Sequence, residues 1–140
     1  MTNDARLARL SPFTILSLLI AAAITVLGVN FLIHPHAAAA GYGVSVASTD
    51  ADAFLRAKGV RDIASGLVLA ALVGGASKRA VGLFLLAMTT VPLGDALVVS
   101  ATGGAPAYAI PMHAGTALVM LAMALLMLRP SRAPGTATRG

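Results

Sequence analysis

Four apolar blocks divide the chain, about Pro12–Ile33, Phe54–Gly75, Ala80–Thr102 and Ala107–Leu128. Each approaches the roughly 20 residues that a helix needs to cross about 30 Å of hydrocarbon. The chain is 140 residues long, 58% hydrophobic and 11% charged, with a mean hydropathy of +0.88. A soluble domain carries about 25% charged residues and does not gather its apolar residues into such blocks. The connections between blocks 2, 3 and 4 are short, which favours antiparallel neighbours. The expected fold is therefore all-α: one up-down bundle of four transmembrane helices.

The remaining segments are brief. Residues 1–11 form a polar leader with Arg6 and Arg9. Pro12 suits a first helical position, where its missing N–H has no partner to lose. The basic start and the Ala-rich stretch near 37–40 also fit a signal peptide. The first apolar block outruns the 7–15 residues of a signal h-region, however, so an uncleaved span is expected. Residues 34–53 read as a loop of Ala, Gly and Ser, with Tyr42 placed at the interface. Ala76-Ser77-Lys78-Arg79 reads as a tight basic turn and Gly103-Gly104-Ala105-Pro106 as a second turn. Residues 129–140, rich in Gly and Pro, read as a disordered tail.

Four spans put both termini on one side, together with Arg6, Arg9, Lys78, Arg79, Arg129, Arg132 and Arg139. The opposite loops carry Asp50 and Asp52. Basic residues favour the cytoplasmic side, so both termini are expected in the cytoplasm. The expected location is a membrane crossed several times, of the bacterial inner-membrane kind. The net charge of +5 follows from this topology. With no basic face and few aromatics, nucleic acid is not an expected partner. The chain has no cysteine, which removes disulfides, thiolate metal sites and cysteine nucleophiles. It contains no dinucleotide fingerprint, HExxH or serine-nucleophile elbow.

Polar residues recur where lipid is expected. Counting 1.5 Å per residue, Arg61 lies about 10 Å below the outer edge, and Asp95 and His113 about 8 Å below it. Asn30 sits near the same edge. Asn30, Arg61, Asp62, Asp95 and His113 thus come from four blocks and share the outer third of the bilayer. A charged residue mid-helix costs roughly 2.5–3.5 kcal/mol on insertion scales, so such residues face a bundle interior or water and find partners. Asp95 is expected to pair with Arg61, or else with Lys58 or Arg56. Lys58 and Asp62, four residues apart, are expected to pair locally, and Arg56 to snorkel to headgroups. Pro92 and Pro111 break helical hydrogen bonds beside Asp95 and His113. Such breaks are tolerated where the backbone lines a cavity. A small polar cavity open to the outer side is expected.

Three readings follow. The five polar residues line a pocket for a small lipophilic or anionic ligand, with Asp95 and His113 able to exchange protons. Alternatively, they form a buried ion pair that fixes helix packing in a structural or accessory subunit. In the third reading, a homo-oligomer of the chain is a transporter component. "HPH" (residues 34–36) with Asp95 and His113 shows no recognisable ligand spacing, so neither a metal nor another cofactor is expected. Lipid is the one partner all readings share.

Three segments, "KGVRDIASGLVLAAL", "VPLGDALVV" and "MHAGTALVMLAMALLML", resemble a family of small four-span bacterial and fungal membrane proteins described as a domain of unknown function. That group is in turn distantly similar to DoxX-like membrane proteins. The resemblance rests on Gly59, Arg61, Asp62, Gly66, Gly94, Asp95 and His113. It implies a four-helix membrane fold and no particular reaction.

Overall fold

Ser11 and Pro12 begin the first helix. The Ser11 hydroxyl accepts the Thr14 N–H at 3.1 Å, and Pro12 occupies the position that needs no donor. In this computed structural model, residues 7, 11–103 and 106–130 are described. Arg6, Arg9, Arg132, Arg139 and the Gly104-Ala105 pair lie outside the described residues. Six α-helices follow in order: α1 Pro12–Ile33, α2 Pro35–Tyr42, α3 Asp52–Gly75, α4 Lys78–Met88, α5 Thr90–Ala101 and α6 Pro106–Leu128. A 3-10 turn, Thr49–Ala51, leads into α3. The described residues contain no strand.

Two expectations need correction. Residues 34–53 are not a plain loop, because Pro35 starts a helix at its first position and Gly43 ends it. Gly43 has φ +107°, a left-handed conformation that glycine adopts without strain. Its N–H caps the Ala39 and Ala40 carbonyls. The third apolar block is not one helix either. It divides at Thr89 into α4 and α5. Pro92, three residues on, has no N–H to offer the Met88 carbonyl. The Thr89 hydroxyl turns back to the Leu85 carbonyl at 2.8 Å.

α1 lies along α3, and the α4–α5 pair lies along α6. Glycine permits the first contact. A Cβ on Gly28 would stand 2.5 Å from the Gly59 carbonyl oxygen, and one on Gly59 would stand 2.6 Å from that of Gly28. One helical repeat further, a Cβ on Gly66 would stand 2.6 Å from the Ala21 carbonyl. The backbones touch, as they do where membrane helices associate through small residues.

Two apolar clusters hold the ends. One joins α1, α3, α4 and α6 through Ala21, Leu69, Leu85 and Met120. The other sets Phe31 of α1 against Ala38 and Ala39 of α2, with Tyr42, Val46 and Leu55 around them.

Three helical stretches are long and apolar enough to cross a membrane: Pro12–Ile33, Lys78–Ala101 and Ala109–Leu128. Their outward faces are apolar, with Val26, Leu97 and Leu118 each about two-thirds or more exposed. α3 has the length, at 24 residues. It does not join them by composition, because Arg56, Lys58, Arg61 and Asp62 crowd its first half.

Candidate functional site

Between the two apolar clusters lies a cavity of about 630 Å³, to which all six helices contribute. This is within the range of small-molecule sites. Part of the lining is apolar, including Ile24 and Leu27 of α1, Met88 of α4, Val91 of α5, and Met112 and Met120 of α6. Part is polar: Asn30, Tyr42, Lys58, Arg61, Asp62, Ser65, Asp95, His113 and Thr116. All five residues singled out by depth, Asn30, Arg61, Asp62, Asp95 and His113, line this one space.

Their pairing differs in part from the sequence reading. Lys58 and Asp62 do pair across one helical turn, with Nζ 2.6 Å from Oδ2. The Lys58 ammonium also stands 4.5 Å from the Phe31 ring centroid and 5.0 Å from that of Tyr42, within cation–π range. Arg61 and Asp95 do not pair. The Arg61 guanidinium is exposed and has no ion pair or hydrogen bond among the described residues; only its backbone carbonyl is engaged, by the Ser65 hydroxyl at 2.8 Å. Arg56 does not pair with Asp95 and donates to the Leu32 carbonyl at the end of α1.

Asp95 is instead met by α2 and α6. The Tyr42 hydroxyl faces its carboxylate. Burial first, and then the hydrogen bond and negative charge of Asp95, hold Tyr42 well above the usual tyrosine range, so it remains a neutral donor. His113 Nδ1 stands 4.0 Å from Asp95 Oδ2, the outer limit of an ion pair. The other ring nitrogen, Nε2, lies 3.0 Å from the Tyr42 backbone carbonyl. A carbonyl only accepts, so Nε2 carries the proton. The His113 and Tyr42 rings lie 4.6 Å apart between centroids. His113 is 7% exposed. Pro111, two residues before it, interrupts the hydrogen bonding of α6 where it passes the cavity.

His36 belongs to a separate contact outside the cavity. Its Nδ1 lies 2.8 Å from the Val46 carbonyl, and its Nε2 lies 2.7 Å from Asp52 Oδ1. The Val46 carbonyl, and then Asp52, raise its pKa above the ordinary 6.5, with desolvation opposing. This contact ties the segment after α2 to the start of α3. Among the described residues, no three His, Asp or Glu side chains gather in a group that could hold a metal ion.

Tyr42, Lys58, Ser65 and Thr116 are the polar lining residues that depth counting does not single out. Sequence alone puts Tyr42 at the interface, where tyrosines often sit. The signal lay in the flanking residues, since Pro35 and Gly43 bracket a short helix that carries Tyr42 inward.

No curated protein and no solved structure matches this chain. A family model does, over residues 21–127, from within α1 to the end of α6. The match contains every cavity residue named above, and by it the chain belongs to the family described as domain of unknown function DUF4267.

Proposed function

We propose that this is a small integral membrane protein whose cavity binds a small amphiphilic molecule. In this reading α3 is the fourth span, both termini are cytoplasmic, and the cavity opens toward the outer side of the cytoplasmic membrane. Two observations support α3 as a span. Its second half exposes Leu67 and Val68, as the outer faces of the other long helices expose leucine and valine. Its charged half turns Lys58, Arg61 and Asp62 to the cavity, which lowers the cost of placing them in a bilayer. The distant likeness to DoxX-like proteins rests on the same segments and adds no reaction.

The observation that carries the binding role is the mixed lining. Apolar and polar side chains share one space of about 630 Å³. That pattern suits a ligand with a chain and a head. No reaction is proposed. The accessory-subunit reading is supported by one contact, the His113 bond to Tyr42, which ties α6 to α2.

The test uses tyrosine fluorescence. The chain has two tyrosines, so Tyr108→Phe leaves Tyr42, in the cavity, as the sole emitter. The neutral probe 10-bromodecan-1-ol, titrated into lipid vesicles holding the protein, should quench Tyr42 saturably. Gly41 lines the cavity, and a Cβ there meets nothing within 4 Å. Gly41→Leu should therefore narrow the space, weaken saturable quenching and leave the helical circular dichroism unchanged. Equal quenching with and without Gly41→Leu would refute the binding role.

A further inference from the structure

Among the described residues, the lining leaves one cation without a side-chain contact. Four charged side chains reach the cavity: Lys58, Arg61, Asp62 and Asp95. Lys58 is held by Asp62 at 2.6 Å. Asp95 lies between the Tyr42 hydroxyl and His113. Arg61 has no partner of its own among the described residues. Its guanidinium is charged at every physiological pH and offers five N–H donors in a planar fork that matches a carboxylate or phosphate. The Asn30 side-chain amide lines the same space, also without a hydrogen-bond partner among the described residues. The free polar groups of the cavity are thus predominantly donors. The lining also includes Met88, Met112 and Met120, whose flexible thioethers adapt to a chain of variable shape.

We infer that the cavity selects anionic single-chain amphiphiles, with Arg61 gripping a carboxylate or phosphate-monoester head and the lining methionines taking the tail. The inference rests on the cavity being a binding site and names the class of ligand. An ammonium head would meet the opposite situation. Lys58 and Arg61 repel it, Asp62 is held by Lys58, and Asp95 already faces the Tyr42 hydroxyl. A free anion of the same head chemistry would reach Arg61 but forgo the apolar lining, so its binding is weak.

Three probes that differ only in the head separate these cases: 10-bromodecanoate, 10-bromodecan-1-ol and 10-bromodecylammonium. Each is titrated against Tyr42 fluorescence in vesicles of zwitterionic lipid, in the Tyr108→Phe background. Arg61→Gln should weaken the decanoate probe roughly tenfold or more, the scale of a lost charge-assisted hydrogen bond. The same change should leave the alcohol probe within about twofold and should strengthen or spare the ammonium probe. Arg61→Lys should restore part of the loss, because it keeps the charge without the fork. Unbrominated decanoate and decyl phosphate should relieve the quenching, whereas acetate and inorganic phosphate at equal concentration should not.

If Arg61→Gln leaves the decanoate titration unchanged while the alcohol still binds saturably, the anion preference is wrong and the binding site stands. If acetate or phosphate competes as well as decanoate, the site takes free anions and the amphiphile is wrong. If Gly41→Leu alters none of the three titrations, the cavity itself does not bind them and both readings fall.

Discussion

His113 of α6 donates from Nε2 to the backbone carbonyl of Tyr42, 3.0 Å away at the end of α2. Seventy-one positions separate the two residues. The bond holds a short helix across the cavity, and through Tyr42 it brings a hydroxyl to Asp95. Removing the imidazole leaves a carbonyl in a largely buried place without its donor. His113→Ala should cost about 1–3 kcal/mol of stability. In hydrogen exchange the loss should appear as faster exchange at residues 35–46, with α4 unaffected. Uniformly unchanged exchange would show that the bond does not hold α2.

Asp95 should be energetically coupled to Tyr42 rather than to Arg61. A double-mutant cycle of Asp95→Asn with Tyr42→Phe should give a coupling of about 0.5–3 kcal/mol. The cycle of Asp95→Asn with Arg61→Gln should be additive within about 0.5 kcal/mol. Unfolding midpoints in detergent measure both. A large Arg61 coupling would restore the ion pair that the sequence suggests.

The glycines of α1 and α3 should differ in cost from those elsewhere. Gly59→Ala must push apart two backbones that a Cβ would approach to 2.6 Å. A loss of about 1–3 kcal/mol is expected, as for overpacked interiors. Gly115→Ala meets nothing within 4 Å. It should fall within about 0.5 kcal/mol of the parent. Equal tolerance at both positions in thermal unfolding would contradict the close approach of α1 and α3.

The His36 contact should make stability depend on pH. Its pKa is raised in the folded protein, chiefly by the Val46 carbonyl. Folding therefore favours the protonated ring. That stabilisation is fully present below the ordinary value of 6.5 and is lost as pH rises through the folded pKa. Melting temperature in detergent should fall across that range. Replacement by His36→Gln should flatten the His36 share of the curve, and a melting curve of the same shape in both proteins would exclude this origin.

What could be read from the residues, and what could not, divides along a physical line. α1 begins and ends where its cap, proline and apolar run place it, at Pro12 and Ile33. The common depth of Asn30, Arg61, Asp62, Asp95 and His113 follows from rise per residue, and all five line one space. Depth says nothing of rotation about the helix axis. Arg61 and Asp62 lie about 100° apart, and which of them meets a neighbour depends on how α3 seats on α1. Gly28 and Gly59 set that seating, by a close approach that becomes visible only once both helices are in place. The partner of Asp95 was misread for a related reason. Eight residues of α2, Ala-rich and without an apolar period, look like a loop. Burial of Ala38 and Ala39 against Phe31 makes them a helix, and Tyr42 then takes the place expected for Arg61. By composition α3 stands apart from the three apolar stretches, and three of its charged residues, Lys58, Arg61 and Asp62, line the cavity.

The central claim is a polar cavity, open to the outer side, within a membrane-embedded protein. The chain contains no cysteine, so single cysteines report without further engineering. Thr116→Cys and Ser65→Cys place a thiol on the cavity wall, and Leu118→Cys places one on an exposed apolar face of α6. In intact cells, a membrane-impermeant maleimide should label the first two and not the third. Labelling of Leu118→Cys equal to that of Thr116→Cys, or labelling of the cavity positions only after the cells are opened, would contradict the account.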